Sequence, residues 1–336
     1  MPESSSGRPR RVVPNAGDRV WTQVSVDASC SVRSWPHVER YQNTTLRYTP
    51  GPDFPPAMEA YLGKPQIIRL FVTLDEVWDY RTDTYDWNYL IGVNKFEGDS
   101  EHYHFHYDWP LTVPSPLGVH EEDYLRSHAE CAESVMLNIR RYEREVAVEH
   151  VISYEKYEEV VERVIEHYKE LCPNIRYIEL MNEVDIPNFG ELTVDEFYPL
   201  FQCGYRAIRR LNERHDYAIP LLTGTMGLTA GVKNWGFWSD FLKRLAADED
   251  RTIDFYSMHE YHTNPCRILE FYVRHEALVH ELGLPDLPLM MTEYGLRVGE
   301  GDAGRPHNLQ NACGEIQGMI LLVLREPPDV PLVHLP

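Results

Sequence analysis

Two glutamates, each at the end of an apolar run, are the residues in this sequence best placed to do acid–base chemistry. Ile175-Arg176-Tyr177-Ile178-Glu179-Leu180-Met181 is rich in β-branched, aromatic and aliphatic residues and follows Pro173-Asn174, the pattern of a short buried strand. Asn182-Glu183 stands where that strand would leave the core. Far downstream, Leu287-Pro288-Leu289-Met290-Met291-Thr292 repeats the design and ends in Glu293. A carboxylate is a poor core residue, but at the C-terminal end of a parallel strand it is a good catalytic one. For Glu183 alone, a solvated Asn-Glu pair closing an ordinary strand is the plain alternative. Two carboxylates facing each other across a sugar ring are the parts needed to cleave a glycosidic bond. One must carry a proton for the leaving oxygen and the other must be ionised to attack the anomeric carbon, so their neighbours must push the two pKa values apart.

Possible helpers are few. His259-Glu260-Tyr261-His262 closes another strand-like run, and His259 and Tyr261, two residues apart, share a side of an extended chain. A tyrosine hydroxyl beside a carboxylate can hold it ionised and fix its rotamer. For His259 alone, a hydrogen-bonded core histidine is the plain alternative. Asn182 could hydrogen-bond a sugar 2-hydroxyl. Arg69 interrupts the apolar run from Pro65 to Leu74, and a charge in that setting is either paired or working in a site. Pairing with the nucleophile would keep that carboxylate's pKa low. In Glu101-His102-Tyr103-His104-Phe105-His106-Tyr107 the three histidines alternate and would share one strand face. A polar strand or loop face is the preferred reading there, since no nearby carboxylate completes a ligand set, and no metal is assigned.

The elements that must position these groups follow a regular alternation. Strands are expected at Arg19–Asp27, Pro65–Leu74, Val135–Ile139, the stretch opening at Ile175, Ile219–Thr225, Ile253–His259 and Leu287–Thr292, and an eighth begins at Val330–Leu335. Helices are expected at Glu121–Glu133, Ser153–Leu171, Thr193–Arg214, Trp235–Ala247, Arg267–Leu282 and Asn308–Arg325. Tyr157, Val160, Val161, Val164, Ile165 and Tyr168 fall at helical spacing. Ser153 is a candidate cap, and Thr193 with Glu196 reads as a capping box. Residues 75–120 read as irregular, aromatic-rich loops. Strands alternating with helices mean a parallel sheet, and this many units imply an α/β (β/α)8 TIM barrel, cut short at strand eight if the chain stops at Pro336. An open doubly wound sheet is the runner-up, and no Gly-x-Gly-x-x-Gly follows the first strand to support it. Residues 1–17 read as a disordered tail and 18–336 as one catalytic domain.

With the residues in this arrangement a resemblance is visible. Asn182-Glu183 after strand four, His259-x-Tyr261 after strand six, Glu293 after strand seven and Arg69 on strand two resemble the shared pattern of the clan A retaining glycoside hydrolases. The sequence looks most similar to family 39, the β-xylosidase and α-L-iduronidase group. The resemblance rests on Arg69–Tyr80 with Tyr85-Asp86-Trp87, on the Asn-Glu strand, and on Ile253–His259. It implies that Glu183 is the acid/base, Glu293 the nucleophile and retention the outcome, without a cofactor. Three departures stand out: no aromatic closes strand eight before Pro336, no stretch of these residues is expected to form an accessory β-domain, and residues 91–120 are longer and richer in His than the pattern expects.

Composition sets outer bounds. Of the 336 residues, 43% are hydrophobic and 25% charged, ordinary values for a soluble globular protein with ample core. A formal net charge of −21 argues against nucleic acid and anionic membranes as partners. With 21 Tyr and 7 Trp, the chain suits a neutral, hydroxyl-rich ligand such as a carbohydrate. The six cysteines are scattered without a Cys-x-x-Cys pair, which predicts free thiols rather than a zinc site or disulfide scaffold. Met1–Gly17 lacks the apolar core of a signal peptide and no run is long enough to span a membrane, so a cytoplasmic location is expected. Oligomeric state is not legible. The competing functions are a retaining, exo-acting glycosidase on β-xylosides or a related sugar, a non-catalytic carbohydrate-binding barrel or inactive fragment, and a metal-dependent hydrolase drawing on His102, His104 and His106 or on His259 and His262.

Overall fold

The computed structural model describes residues 41–43, 59–60, 63–91, 120–227, 234–262, 264, 266–296 and 316–317. Its strands are β1 (Tyr41–Asn43), β2 (Ile67–Thr73), β3 (Trp78–Asp79), β4 (Thr84–Tyr85), β5 (Ser134–Arg140), β6 (Ile175–Leu180), β7 (Leu222–Thr223), β8 (Tyr256–His262) and β9 (Leu289–Leu296). Its helices are α1 (Leu74–Val77), α2 (Glu121–Cys131), α3 (Glu143–Ala147), α4 (Tyr154–Leu171), α5 (Val194–Arg214), α6 (Trp235–Ala247) and α7 (Cys266–Leu282), with a 3-10 turn at Pro187–Phe189.

β2 is buried along its whole length and β5 at all but its ends. This is the mark of parallel strands covered on both faces, and it explains why both read as near-continuous apolar runs. The main sheet runs β1-β2-β5-β6-β7, all parallel, and β8 and β9 form a second parallel pair. A parallel bridge between Gly224 and Phe255 links the stretch after β7 to the start of β8. Neighbour follows neighbour in chain order without the reversal that a doubly wound sheet requires. This succession is TIM-barrel-like, although the described residues do not close a barrel. The expected strand at Val330–Leu335, the expected strand at Arg19–Asp27 and the tail 1–17 lie outside them.

Several expected elements shift. The place beside β2 is held by Tyr41–Asn43, where no strand is expected from the sequence. The region after β2 carries α1 and the antiparallel β3–β4 pair rather than irregular chain alone. α3 was also not foreseen; it follows Arg141 and Tyr142, both with positive φ. Strand five shortens to Leu222–Thr223, because Pro220 has no N–H to give and the N–H of Leu221 goes to the Asn212 side chain (3.0 Å) instead of the ladder. β8 starts later than expected, at Tyr256, because Asp254 turns its carboxylate back to the N–H of Thr223 (2.7 Å). β9 also starts later, and β8 and β9 run on past their expected ends, so Tyr261 and Glu293 sit within strands rather than beyond them.

The helices form largely as their patterns predict. Ser153 Oγ caps α4 by accepting from the N–H of Lys156 (3.1 Å), and the apolar positions from Tyr157 to Tyr168 are buried. Thr193 and Glu196 make the reciprocal capping box on α5. Glu158, Glu162 and Glu166 on α4 face Arg206, Arg210 and Arg214 on α5 in a ladder of ion pairs. Cys131, Cys172, Cys203 and Cys266 are free thiols. No described helix is long and apolar enough to cross a membrane.

Candidate active site

The site is built around Arg69, the third residue of β2. Its guanidinium is fully buried, and a buried cation is tolerable only where its donors find acceptors. Nε donates to Glu179 Oε2 (2.7 Å), Nη1 to Glu293 Oε1 (2.8 Å) and Nη2 to Asn182 Oδ1 (3.1 Å). Nη2 also lies 3.4 Å from His259 Nε2. Three strands and the turn after β6 therefore converge on one side chain.

Glu183 reaches this cluster through a strained turn. Met181 and Glu183 both have positive φ (66° and 50°), a conformation that costs a non-glycine residue about 1–3 kcal/mol. The surroundings hold it in place. The N–H of Met181 donates to Ile139 O (2.7 Å), the N–H of Glu183 to Gly227 O (2.6 Å), and Asn138 Nδ2 to Met181 O (2.9 Å). Strain held this firmly at a strand end points to a functional turn.

Glu293 arrives by a different device. β8 pairs Met258 with Met291 and then His259 with Glu293, so Thr292 is the extra residue of a bulge. A bulge breaks the strict alternation of faces and re-aims side chains. Here Thr292 Oγ1 donates to Glu179 Oε1 (2.6 Å) while Glu293, the next residue, meets Arg69. Both side chains thus enter the same polar cluster. Tyr261 completes Glu293 by donating its hydroxyl to Oε2 (2.9 Å).

His259 lies between the two carboxylates. Nδ1 is 2.8 Å from Glu183 Oε1 and 3.5 Å from Glu293 Oε2. Arg69 can only donate, so in the neutral ring Nε2 is the acceptor and Nδ1 carries the proton given to Glu183. Burial alone would lower the imidazole pKa, but Glu293 and Glu183 outweigh it and raise it. Carboxylate oxygens of Glu183 and Glu293 and a ring nitrogen of His259 all lie within 4.8 Å of one another. The donor set does not fit a cation, because Arg69 already donates into Glu293 and His259 into Glu183.

The two carboxyl groups are driven in opposite directions. Burial raises the pKa of Glu183; the bond from His259 opposes this and the charge of Glu293 adds to it. Burial would raise Glu293 as well, but His259, Arg69 and the hydrogen bonds from Arg69 and Tyr261 hold it below the ordinary carboxylate range. One carboxyl is thereby favoured as an acid and the other as an anion, although they sit in the same buried cluster.

All six residues singled out in the sequence (Arg69, Asn182, Glu183, His259, Tyr261 and Glu293) meet in this cluster. His102, His104 and His106 lie outside the described residues. Sequence reading missed Glu179, Asn138, Thr292 and Gly227. Glu179 and Asn138 had a signal, since each interrupts an apolar strand as Arg69 does. Gly227 had none: its Cα faces His259, and a Cβ there would sit 2.4 Å from Nε2.

No family model matches this sequence, and no curated protein matches it. Solved structures do. The chain is similar to a glucosidase from Croceicoccus marinus, with a TM-score of 0.51 and 15% identity, covering 81% of this chain and 52% of that one. It is also similar to a family 39 glycoside hydrolase from the gut symbiont Bacteroides cellulosilyticus, with a TM-score of 0.56 and 12% identity, covering 88% of this chain and 56% of that one. The chain spans about half the length of each. At these identities the likeness is one of fold: the chain has the α/β architecture seen in these glycoside hydrolases.

Proposed function

We propose that the chain is a retaining glycoside hydrolase, that residues 18–336 are its catalytic domain, and that it releases a terminal sugar, a β-xyloside or a related one. One observation carries the reading: two carboxyl groups with opposite pKa shifts, their oxygens within 4.8 Å. Retaining enzymes hold their carboxyl groups about 5–5.5 Å apart, whereas inverting enzymes need about 6.5–9.5 Å to admit a water. The fold shared with glycoside hydrolases supports the same reaction class.

Glu293 attacks the anomeric carbon while Glu183 gives its proton to the glycosidic oxygen. The carbon–oxygen bond to the leaving group breaks and a glycosyl ester to Glu293 forms. Glu183, now ionised, takes a proton from water, whose oxygen attacks the same carbon and releases Glu293. Two inversions give net retention. His259 holds Glu183 Oε1, which leaves Oε2 to carry the transferable proton. Arg69 holds Asn182 by Oδ1, so its amide N–H groups are the donors available to a sugar hydroxyl.

The test is hydrolysis of aryl xyloside, glucoside, galactoside, arabinoside and iduronide by the wild type, Glu293→Ala and Glu183→Ala. Turnover of one sugar with retained product is expected, lost in Glu293→Ala and restored there by azide as the inverted glycosyl azide. Inverted product from the wild type, or no turnover of any glycoside by folded protein, would overturn the proposal.

A further inference from the structure

Within the cluster built around Arg69, the mechanism above leaves one buried charged group without a task. Glu179 is the fifth residue of β6, fully buried beneath the site, and cannot reach a substrate across Arg69 and Thr292. It is nevertheless bound from three strands. Oε2 accepts from Arg69 Nε (2.7 Å) and Asn138 Nδ2 (2.7 Å), and Oε1 accepts from Thr292 Oγ1 (2.6 Å). Arg69 is thus shared between two carboxylates, Glu179 and Glu293, on different edges of the same guanidinium. Whatever share Glu179 takes is not available to Glu293.

We propose that Glu179 is a positioning residue that offsets the charge of Arg69 and so sets how tightly Glu293 is held. The proposal rests on the reading of Glu293 as nucleophile. Through its pairing with Glu179 the guanidinium is partly neutralised from behind, and Glu293 stays an anion without being bound so strongly that it stops attacking carbon. Among the described residues, the charged and titratable groups facing Glu293 are Arg69 on β2, His259 and Tyr261 on β8 and Glu183 after β6, and none of these is removed when Glu179 is changed. Thr292 adds a mechanical link, because the same carboxylate grips the residue next to Glu293 in the bulge.

Glu179→Gln separates charge from architecture. The amide oxygen can take the place of Oε2 and accept from Arg69 and Asn138. The amide nitrogen takes the place of Oε1 and donates to Thr292 Oγ1, whose hydroxyl can turn to the carbonyl of Met258, 3.3 Å away. No buried partner is left unmatched, so the variant is expected to fold. Arg69 then acts undiluted on Glu293. The acidic limb of kcat/KM against pH is expected to move down by about one pH unit, in the direction and range that an opposite charge shifts a carboxyl. The rate at the optimum is expected to fall, because a more tightly held carboxylate is a weaker nucleophile. Glu179→Asp, which keeps the charge, is expected to leave the limb in place. The Asp and Asn variants repeat the comparison one methylene shorter should Gln not fold.

A carbon-13 NMR titration of the Glu293 carboxyl in glutamate-labelled wild type and Glu179→Gln reads the same quantity without any substrate. A lower titration midpoint in the neutral variants supports the proposal. An unchanged or raised midpoint overturns it even if the wild type hydrolyses glycosides. A lowered midpoint in a protein that cleaves no glycoside leaves the electrostatic role of Glu179 standing and rejects only the enzymatic reading.

Discussion

Gly227→Ala tests whether the site depends on a position that carries no side chain. The added Cβ would sit 2.4 Å from His259 Nε2, where ordinary contact begins at 3.4 Å. The imidazole must therefore retreat by about 1 Å, or the turn bearing Gly227 must. Neither is easy, since His259 is fully buried and the carbonyl of Gly227 holds the N–H of Glu183 at 2.6 Å. A ring that retreats loses its bond to Glu183 (2.8 Å), and a turn that retreats moves Glu183 itself. A displacement of about 1 Å at a reacting group costs on the order of 10²-fold in rate, and overpacking a buried site costs about 1–3 kcal/mol of stability. The φ of Gly227 is not in the positive range, so the cost comes from the clash alone. The assay is kcat/KM on the best aryl glycoside beside chemical denaturation of the same preparation. In a His259→Ala background the stability cost should largely vanish, because the clashing ring is gone. An alanine variant within twofold of wild-type rate and of unchanged stability would refute the packing argument.

Three further outcomes are expected. The pH profile of kcat/KM should be a bell: activity is lost as pH falls through the lowered pKa of Glu293 and again as it rises through the raised pKa of Glu183, so the two limbs flank the ordinary glutamate value of about 4.3. Glu183→Gln should abolish the alkaline limb, and a persisting limb would assign it to another group. Arg69→Met should lose about 3–5 kcal/mol in urea denaturation, because two buried side chains, Glu179 and Glu293, lose the cation they share. A loss under 1 kcal/mol would mean that the carboxylates find other partners. Thr193→Ala should cost about 1 kcal/mol in thermal unfolding with kcat unchanged, since it removes an exposed cap of α5 whose side chain bonds Glu196.

Read as sequence, the chain made its parallel α/β architecture and its longest helices legible, because apolar periodicity and capping chemistry are local. The burial of Tyr157 to Tyr168 and the Thr193–Glu196 box needed no tertiary information. Strand ends were less legible. Where β7 and β8 begin was decided by Pro220 and Asp254 and by which neighbour took each N–H, and pairing partners cannot be read from one segment at a time.

The candidate residues divide in the same way. Arg69, Asn182, Glu183, His259, Tyr261 and Glu293 could be singled out because charged and polar groups at the ends of apolar runs are conspicuous. Their convergence could not be measured from the chain. Only the folded molecule places Glu293 against Arg69, through a one-residue bulge at Thr292 that alters the facing of a strand whose apolar content says nothing of it. Only the fold shows that Glu179 shares the guanidinium and that Gly227 makes room for His259. Residue type announces that a group can ionise, but the direction in which its pKa moves depends on burial and on charges brought from distant parts of the chain. For that reason the sequence could propose a pair of carboxylates, while the opposite directions in which their pKa values move belong to the tertiary structure.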